Sequence, residues 1–392
     1  MSRLRVAALG LAIVAAACSG NDSGSEAGTD SDAEPPDTTA AERPPPPGVI
    51  VLSTEGNNLN AYEAAPPFRQ QTVIRNAGDD PGGLDINGQV CLLPPDDAGD
   101  PVRFVAGEDT GQPERTPGWG IFELEGDTVD DLEARQVGRL VPTYQTEEPE
   151  NYGCGVLSDG RVVTSDIGNQ ASGPPTGQLI VWYPPFDGED VRYCKLDVAL
   201  PTPGGIHVVD DYVYVTAARP PDNGVRRYAG PFPTSADAAG GCGRADATGA
   251  PLADETGYEV FIHADNHVAT PNAVIGAPDS GFYVSSAFTG VLAHYDADGR
   301  FVRTLVTPPA GEQLGEEPYS TGSPFGMGVD PTTGDVYWAD IAIGIGEGVG
   351  PVDGAGTVRR TTFDATGEPR PAEIIDERLD FPDGIGIYVP PG

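Results

Sequence analysis

Five polar side chains at the starts of apolar segments have the types that metal or acid–base chemistry requires. They are Glu150, Asn151, His207, Asn272 and Asp383. Carboxylate and carboxamide oxygens bind hard cations such as calcium, and a carboxylate or an imidazole can act as a general base. We expect all five to open toward one site, suited either to a hard cation or to a general base. Asp383 and His207 are the catalytic candidates, and Glu150, Asn151 and Asn272 the ligand-binding candidates. The alternative is that these side chains cap strand starts and satisfy backbone groups.

A short motif recurs along the chain and predicts equivalent positions for these side chains. In each copy a proline or small residue, usually with a glycine, precedes an alternating apolar strand, at intervals of 53 to 68 residues. The copies contain Pro81, Pro149, Pro203, Pro271, Pro324 and Pro382. Such self-similarity indicates an array of like structural units.

Further short strands follow each motif and are separated by Gly, Asp and Pro turns. Clear second strands lie at 160–166, 212–216, 281–286 and 335–340, third strands at 178–183, 224–228, 290–295 and 356–360, and a fourth at 301–306. Short alternating strands between turns predict an all-β fold. Four strands in each of six units predict a six-bladed β-propeller. The one helical turn that we expect is at Ala372–Leu379.

The two chain ends complement each other. The sixth motif has no room for more strands, whereas 49–53 and 58–62 have strand character but lack an inner strand. We therefore expect the C-terminal strand to pair beside the N-terminal strands. This closure would remove open sheet edges that invite aggregation.

Composition excludes several classes of protein. Sixty acidic residues against 22 basic ones give a formal charge of −38, which argues against a nucleic-acid partner because phosphates would be repelled. The 53 Gly and 40 Pro residues argue against a helical bundle, since both residue types break helices. A packed core is expected from the 38% hydrophobic content.

The first 47 residues predict export and a tether. Arg3 and Arg5 precede an apolar run at 6–17 that is too short to span a bilayer. Small residues then lead into Cys18, as in the lipobox of bacterial lipoproteins, although the usual Leu three residues earlier is missing. We expect a signal peptide at 1–17, lipidation of Cys18 and a disordered acidic, Pro-rich tether at 18–47. An ordinary secretory signal is the alternative.

The remaining cysteines predict two disulfides in an oxidising compartment. Four cysteines allow three pairings, and a metal site is disfavoured because no C-x-x-C pair or nearby His is present. Cys91 and Cys154 lie in successive motif units, which would bring them together. Cys194 ends one blade and Cys242 lies in the long insertion of the next. We predict Cys91–Cys154 and Cys194–Cys242.

The repeats over 48–392 resemble the gluconolactonase and senescence-marker-protein (regucalcin) group of six-bladed propellers. The similarity is best at Thr270–Leu305 and at Phe381–Tyr388. It implies a channel site in which Glu, Asn and Asp bind a divalent cation that polarises a lactone carbonyl and its attacking water. Asn272 matches the family's Pro-Asn ligand. Phe325 stands where the next blade should supply Asp, no Glu stands near Pro81, and Asp383 has the right motif in another blade. The resemblance thus implies that Asn272 and Asp383 bind a divalent cation, calcium before others.

Other residues that could suggest a functional site are expected to be structural or to lie in surface loops. His263 and His267 lie in a predicted surface turn, His294 lies in a strand, and the glycine-rich run 344–350 is expected to be a flexible blade loop. No nucleophile elbow, phosphate-binding loop or zinc-protease motif occurs.

The sequence is compatible with two functions. One is metal-assisted hydrolysis of a small lactone or ester, which the family resemblance favours. The other is non-catalytic binding of a small ligand or a surface protein by a monomeric propeller on the outer face of the membrane.

Overall fold

Six antiparallel sheets are arranged around a central axis as the blades of a β-propeller. The computed structural model describes residues 48–390 except 81, 96–100, 110–115, 143–149, 171–172, 189–190, 255, 309–317 and 346–348. Each blade has an inner strand that contacts the inner strands of both neighbouring blades, so the six inner strands form a closed ring. The predicted six-bladed propeller is thereby confirmed. Cys18, with the predicted signal peptide and tether, lies outside the described residues.

The blades are numbered I to VI around the ring, and their strands are given from the axis outward. Blade I contains β28 (Gly384–Tyr388), β1 (Ile50–Glu55), β2 (Asn58–Glu63) and β3 (Gln70–Ile74); blade II contains β4 (Asp85–Leu93), β5 (Val102–Asp109), β6 (Gly118–Glu125) and β7 (Glu133–Leu140); blade III contains β8 (Asn151–Val156), β9 (Val162–Asp166), β10 (Gly177–Trp182) and β11 (Tyr193–Leu200). Blade IV contains β12 (Pro203–Val209), β13 (Tyr212–Ala217), β14 (Gly224–Ala229) and β17 (Tyr258–His263); blade V contains β18 (Ala273–Gly276), β19 (Phe282–Ser286), β20 (Val291–Tyr295) and β21 (Phe301–Val306); blade VI contains β22 (Pro324–Val329), β23 (Val336–Asp340), β26 (Gly356–Thr361) and β27 (Glu373–Leu379).

Smaller elements decorate this ring. The strands β15 (Arg244–Ala245) and β16 (Pro251–Leu252) extend the outer edge of blade III, and β24 (Ile343–Ile345) pairs with β25 (Val349–Pro351) in a hairpin. Short 3₁₀ segments are Val129–Asp131, Ala238–Gly240 and Ala287–Thr289. No helix in the described part of the chain is long and apolar enough to cross a membrane.

The six sequence motifs do start the six inner strands, and close packing at the axis explains their glycines. A Cβ on Gly153 would lie 2.3 Å from the carbonyl oxygen of Gly204, and one on Gly204 would lie 2.0 Å from that of Asn272. Side chains at these positions would push neighbouring inner strands apart. Glycine thus permits a narrow ring of six strands.

Side-chain hydroxyls on second strands join one blade to the next. The Ser165 hydroxyl accepts a hydrogen bond from Gly153 N in its own blade and donates one to the Gly204 carbonyl in blade IV. Thr216 in blade IV and Ser285 in blade V repeat this arrangement. In blade I, Thr54 likewise contacts the Gly88 carbonyl of blade II. These bonds satisfy inner-strand backbone groups that no sheet partner reaches.

The predicted closure of the ring by the two chain ends is confirmed. Strand β28 pairs with β1 in antiparallel register, with Ser53 opposite Ile385. We call the interface between blade VI and blade I the closure seam. Val51 and Tyr62 of blade I pack there against Tyr337 and Val358 of blade VI. The apolar core of the protein lies in such interfaces between blades; Trp119 and Trp182, for example, join blades II and III with ring centroids 6.0 Å apart.

Both predicted disulfides are present. Cys91 of β4 is bonded to Cys154 of β8, and Cys194 of β11 is bonded to Cys242 in the insertion before β17. That insertion also packs on blade III through an ion pair of 2.8 Å between Lys195 Nζ and Asp246. Blade III and blade IV are therefore clamped together outside the ring. The two disulfides are typical of a protein in an oxidising compartment.

One local prediction was wrong, and another is tested only in part. The segment 372–379 contains no helical turn, because Glu373–Leu379 forms the outer strand β27 of blade VI. Its exposed face carries charged residues that hid the alternation of a strand. The two ends of the glycine-rich run 344–350 belong to the hairpin β24–β25. Residues 346–348 lie outside the described part.

Candidate functional site

The axis of the propeller is filled by aromatic side chains from opposite blades. The ring of Tyr152 in blade III packs edge-on against that of Phe325 in blade VI, with centroids 5.0 Å apart. The Tyr152 hydroxyl donates a hydrogen bond of 2.9 Å to the backbone carbonyl of Asp383. Tyr152 is buried and Phe325 partly buried. We call the end of the axis at which the inner strands begin the axial mouth.

Asp383 lies buried immediately before β28 and is tied to blades I and II. Its Oδ2 accepts a hydrogen bond of 2.9 Å from Gly88 N, and its Oδ1 lies 2.6 Å from the Thr54 hydroxyl. Thr54 has one proton but also faces the Gly88 carbonyl at 2.9 Å. A protonated Asp383 satisfies every contact, since it can donate to Thr54 while Thr54 donates to Gly88. Burial raises the pKa of Asp383 to about 6.

Asn272 precedes β18 and is bound to its own blade. Its Oδ1 accepts a hydrogen bond of 2.8 Å from Ala287 N, at the start of the 3₁₀ segment after β19. Its backbone carbonyl accepts bonds from Gly205 N and from the Thr216 hydroxyl. The side chain is 7% exposed. Asn272 Oδ1, the oxygen that could bind a metal, is therefore used to hold the backbone that follows β19.

Glu150 and Asn151 lie at the start of β8 but point to different partners. Asn151 is buried and its Nδ2 donates a hydrogen bond of 2.6 Å to the Gly118 carbonyl of blade II. Glu150 is exposed, and its carboxylate accepts a hydrogen bond from Gln170. Both interactions are of the structural kind that the sequence left open as the alternative.

His207 does not join the group at the axial mouth. Its imidazole lies between blades IV and V, with its centroid 6.0 Å from that of Phe282 and 6.4 Å from that of Tyr214. A Cβ on Gly276, at the far end of β18, would lie 2.8 Å from its Nε2. Burial lowers the pKa of His207 to about 4. The expectation that all five side chains open toward one mouth is not met, because the side chain of His207 faces the neighbouring blade.

The oxygen donors at the mouth do not fit the channel metal that the family resemblance implies. The Oδ1 of Asn272 and both carboxylate oxygens of Asp383 already have hydrogen-bond partners within the fold. Throughout the described ranges, no three His, Cys, Asp or Glu side chains are grouped as metal ligands. The residues present at the axial mouth therefore do not fit a bound metal ion.

Two residues that the sequence did not single out occupy the axis and its mouth. Gln89 extends from blade II to blade IV. Its Nε2 donates a hydrogen bond of 2.8 Å to the Ile206 carbonyl, and its Oε1 accepts one of 2.9 Å from Ile206 N. Phe381 precedes Asp383 by two residues and packs against Phe325 at 6.2 Å between centroids. Its side chain is 46% exposed. The sequence signal for Phe381 was that a large apolar residue stands in the sixth motif.

An apolar rim surrounds Phe325 on the blade V and blade VI side. Ala287, Ile341 and Ile343 form a buried cluster against which Phe288 and Phe325 pack. The hairpin β24–β25 supplies Ile343 and so belongs to this rim. The mouth is thus aromatic and apolar on one side and carboxylate-bearing on the other.

Comparison with known proteins finds only distant structural likenesses. No protein-family model matches the chain, and no curated protein matches it. Among solved structures it is similar to a calcium-binding protein, regucalcin, from Agrobacterium tumefaciens, with 13% identity, 75% of this chain and 78% of that chain covered, and a TM-score of 0.44. It is also similar to a gluconolactonase from Xanthomonas campestris, with 14% identity, coverages of 72% and 75%, and a TM-score of 0.42. A luciferin-regenerating enzyme gives 12% identity, coverages of 86% and 91%, and a TM-score of 0.46. At such low identities and TM-scores these likenesses carry no argument about chemistry.

Proposed function

We propose that this chain is an exported binding propeller without catalytic activity, which takes a ring-containing ligand at the axial mouth. The observation that carries the proposal is the conformation of Phe381. This phenylalanine is 46% exposed and has a φ of 45°, in the left-handed region. A bulky residue seldom adopts that region, and the strain costs about 1–3 kcal/mol.

The backbone on both sides of Phe381 maintains this strained conformation. Asp380 O accepts a hydrogen bond of 2.6 Å from Gly56 N, and Asp383 N donates one of 3.1 Å to Thr54 O. The ring is therefore presented to solvent on a fixed loop. Strain that the fold maintains at an exposed aromatic residue is typical of binding sites.

The charges around the mouth narrow the class of ligand. Asp380 and Glu150 are exposed carboxylates, and the whole chain has a formal charge of −38. An anion would be repelled here, whereas a neutral ring can stack on Phe381 and a cation gains attraction from both the ring and the carboxylates. We assign the site to neutral or positively charged ligands with a ring, free or carried by a partner protein.

The proposed address is the outer face of the cell membrane, through a lipid on Cys18. The export signal read from the sequence and the two disulfides support it. Residue 48 precedes β1, whose first residue Ile50 pairs with Tyr388 at the end of β28 remote from the mouth. A tether at that end would turn the axial mouth away from the membrane. Fractionation tests this address: Cys18→Ala should release the protein, and equal retention of both forms on membranes would contradict it.

The second candidate is hydrolysis of a small lactone or ester, and the raised pKa of Asp383 favours it. A carboxyl with a pKa of about 6 is suited to proton transfer near neutral pH. In this candidate the buried carboxyl of Asp383 would supply the proton. Gluconolactone hydrolysis, with and without calcium, measured on wild type and Asp383→Asn, tests it directly. Turnover that Asp383→Asn abolishes would establish the hydrolase and overturn the non-catalytic proposal.

Binding is tested with three probes of one shape and different charge: benzylamine, benzyl alcohol and benzoate. Ligand-observed NMR should detect the first two on the wild type and not benzoate. Phe381→Ala should abolish the signal, because it removes the stacking surface. Val389→Ala is the matched control, since Val389 is also 46% exposed but follows the remote end of β28. Equal binding by the two variants, or preferential binding of benzoate, would contradict the proposal.

A further inference from the structure

A second group of polar side chains lies in the closure seam, apart from the axial mouth. Tyr62 Oη of blade I lies 3.1 Å from both carboxylate oxygens of Glu55 and 3.0 Å from Asp376 Oδ2 of blade VI. The amide of Asn60 also contacts the Glu55 carboxylate. Glu55 is 5% exposed. One hydroxyl proton thus faces three carboxylate oxygens from two blades.

Two buried oxygens beside this group have no hydrogen-bond partner among the residues that the structure describes. They are Ser53 Oγ and Asn60 Oδ1, in residues that are 0% and 4% exposed. Ser53 and Asn60 are directly opposite each other on β1 and β2, and residues two apart on a strand share a face, so Ser53 lies on the Glu55 face and Asn60 on the Tyr62 face. An orphaned buried oxygen normally indicates an additional ligand or a water.

Glu55 also differs from the carboxylates at the equivalent ends of two other second strands. Glu108 on β5 accepts a hydrogen bond of 2.9 Å from Arg139, and Asp340 on β23 is paired with Arg359 at 2.9 Å. In the described part of the chain no Lys or Arg is paired with Glu55 or Asp376. The seam therefore has buried negative charge and neutral oxygens but lacks the arginine that Glu108 and Asp340 have.

We propose that the closure seam binds a calcium ion through Glu55, Asp376 and the side-chain oxygen of Asn60, with the hydroxyls of Ser53 and Tyr62 completing the site. Carboxylates combined with amide and hydroxyl oxygens are the donors that calcium prefers. The Asn60 amide needs only a 180° rotation to direct its oxygen at Glu55, and such rotations exchange atoms that are nearly equivalent in shape. The ion would join β27 of blade VI to β1 and β2 of blade I.

A proton is the competitor for this site. Burial raises the pKa of Glu55 to about 7, and the nearby charges of Asp376 and Asp380 act in the same direction, whereas hydrogen bonds from Tyr62 and Asn60 oppose it. Calcium needs the ionised carboxylate. Asp376 is partly exposed, which gives the ion a route from solvent.

The first test is the melting temperature of the whole exported domain in EDTA, in millimolar magnesium and in millimolar calcium. Calcium should raise the melting temperature of the wild type by about 2 °C or more at pH 8. Glu55→Gln and Asp376→Asn should each lose this rise. Glu377→Gln should keep it, because Glu377 is the exposed neighbour of Asp376 and only its backbone N–H contacts that carboxylate.

The second measurement is terbium luminescence excited through tyrosine, since Tyr62 lies at the proposed ion. Wild type and Glu377→Gln should give calcium-displaceable emission that Glu55→Gln lacks. Folding of Glu55→Gln is checked in EDTA by circular dichroism, where the variant should give the wild-type spectrum and a cooperative melting transition. Calcium responses that are equal in all four proteins, or absent from all, would overturn the proposal. Phe381→Ala should leave the calcium-induced rise in melting temperature and the terbium emission unchanged. The test of this site is therefore independent of the test of the axial mouth.

Discussion

The hydroxyl of Tyr152 in blade III crosses the propeller axis and donates a hydrogen bond to the backbone carbonyl of Asp383 in blade I. In blades III, IV and V a second-strand hydroxyl makes the corresponding bond to the next inner strand. Blade VI has Ala339 on its second strand, which cannot donate. Tyr152 supplies the missing donor from across the axis, and its ring occupies the axis together with that of Phe325.

Tyr152→Phe should therefore lower the free energy of unfolding by about 1–3 kcal/mol, because it leaves the buried Asp383 carbonyl without a partner. The ring and its packing on Phe325 are retained. Urea denaturation measures the change, and Tyr212→Phe, at an exposed position on β13, should leave stability unchanged. If Tyr152→Phe is as stable as the wild type, the bond across the axis is dispensable.

Asn272→Ala should lower the free energy of unfolding by about 1 kcal/mol, because the side chain accepts the hydrogen bond of Ala287 N. Asn272→Asp retains an acceptor oxygen and should be close to wild type. The comparison is made by thermal or urea unfolding of the two variants. Unchanged stability of Asn272→Ala together with lost ligand binding would return this residue to the role that the sequence first indicated.

The burial of His207 predicts a loss of stability in acid. Its folded pKa of about 4 lies below the ordinary histidine pKa of 6.5, so the unfolded chain takes up a proton first as the pH falls. The stability that neutral His207 contributes is complete above pH 6.5 and declines between pH 6.5 and pH 4, by up to about 3 kcal/mol. His207→Gln should lack this component. Urea titrations of both proteins at several pH values isolate it, and a constant difference between them would refute it.

The Cys194–Cys242 bond should stabilise the clamp between blades III and IV. Replacing both cysteines with Ser should lower the free energy of unfolding by about 2–4 kcal/mol and make the insertion before β17 sensitive to proteases. The matched comparison is replacement of Cys91 and Cys154, which should leave the insertion protected. Non-reducing peptide mapping checks the pairing, and finding Cys91 joined to Cys194 or Cys242 would refute it.

The inner strands were predictable from sequence because two constraints coincide there. A strand at a crowded axis needs glycine, as Gly153 and Gly204 illustrate, and it needs the two-residue alternation of a buried sheet. The disulfide partners followed from the order of the blades. Strand β27 was missed because its outward face is charged and its alternation weak.

The site was less predictable, for a geometric reason. Alternation assigns a residue to one face of a strand, but in a propeller each face meets a different neighbouring blade. The sequence could not reveal that His207 faces Phe282 or that the oxygen of Asn272 binds Ala287. Nor could it reveal the left-handed φ of Phe381, since phenylalanine disfavours that conformation.

The buried ion pair of the clamp has a consequence for chemical labelling. Lys195 is the single lysine of the chain, and it is 2% exposed with its ammonium group held by Asp246. An acylating reagent meets no other side-chain amine, so apart from a free α-amine it modifies the chain only when the insertion lifts away from β11. The rate of acylation at this one position therefore reports opening of blade III against a silent background, without any engineered probe.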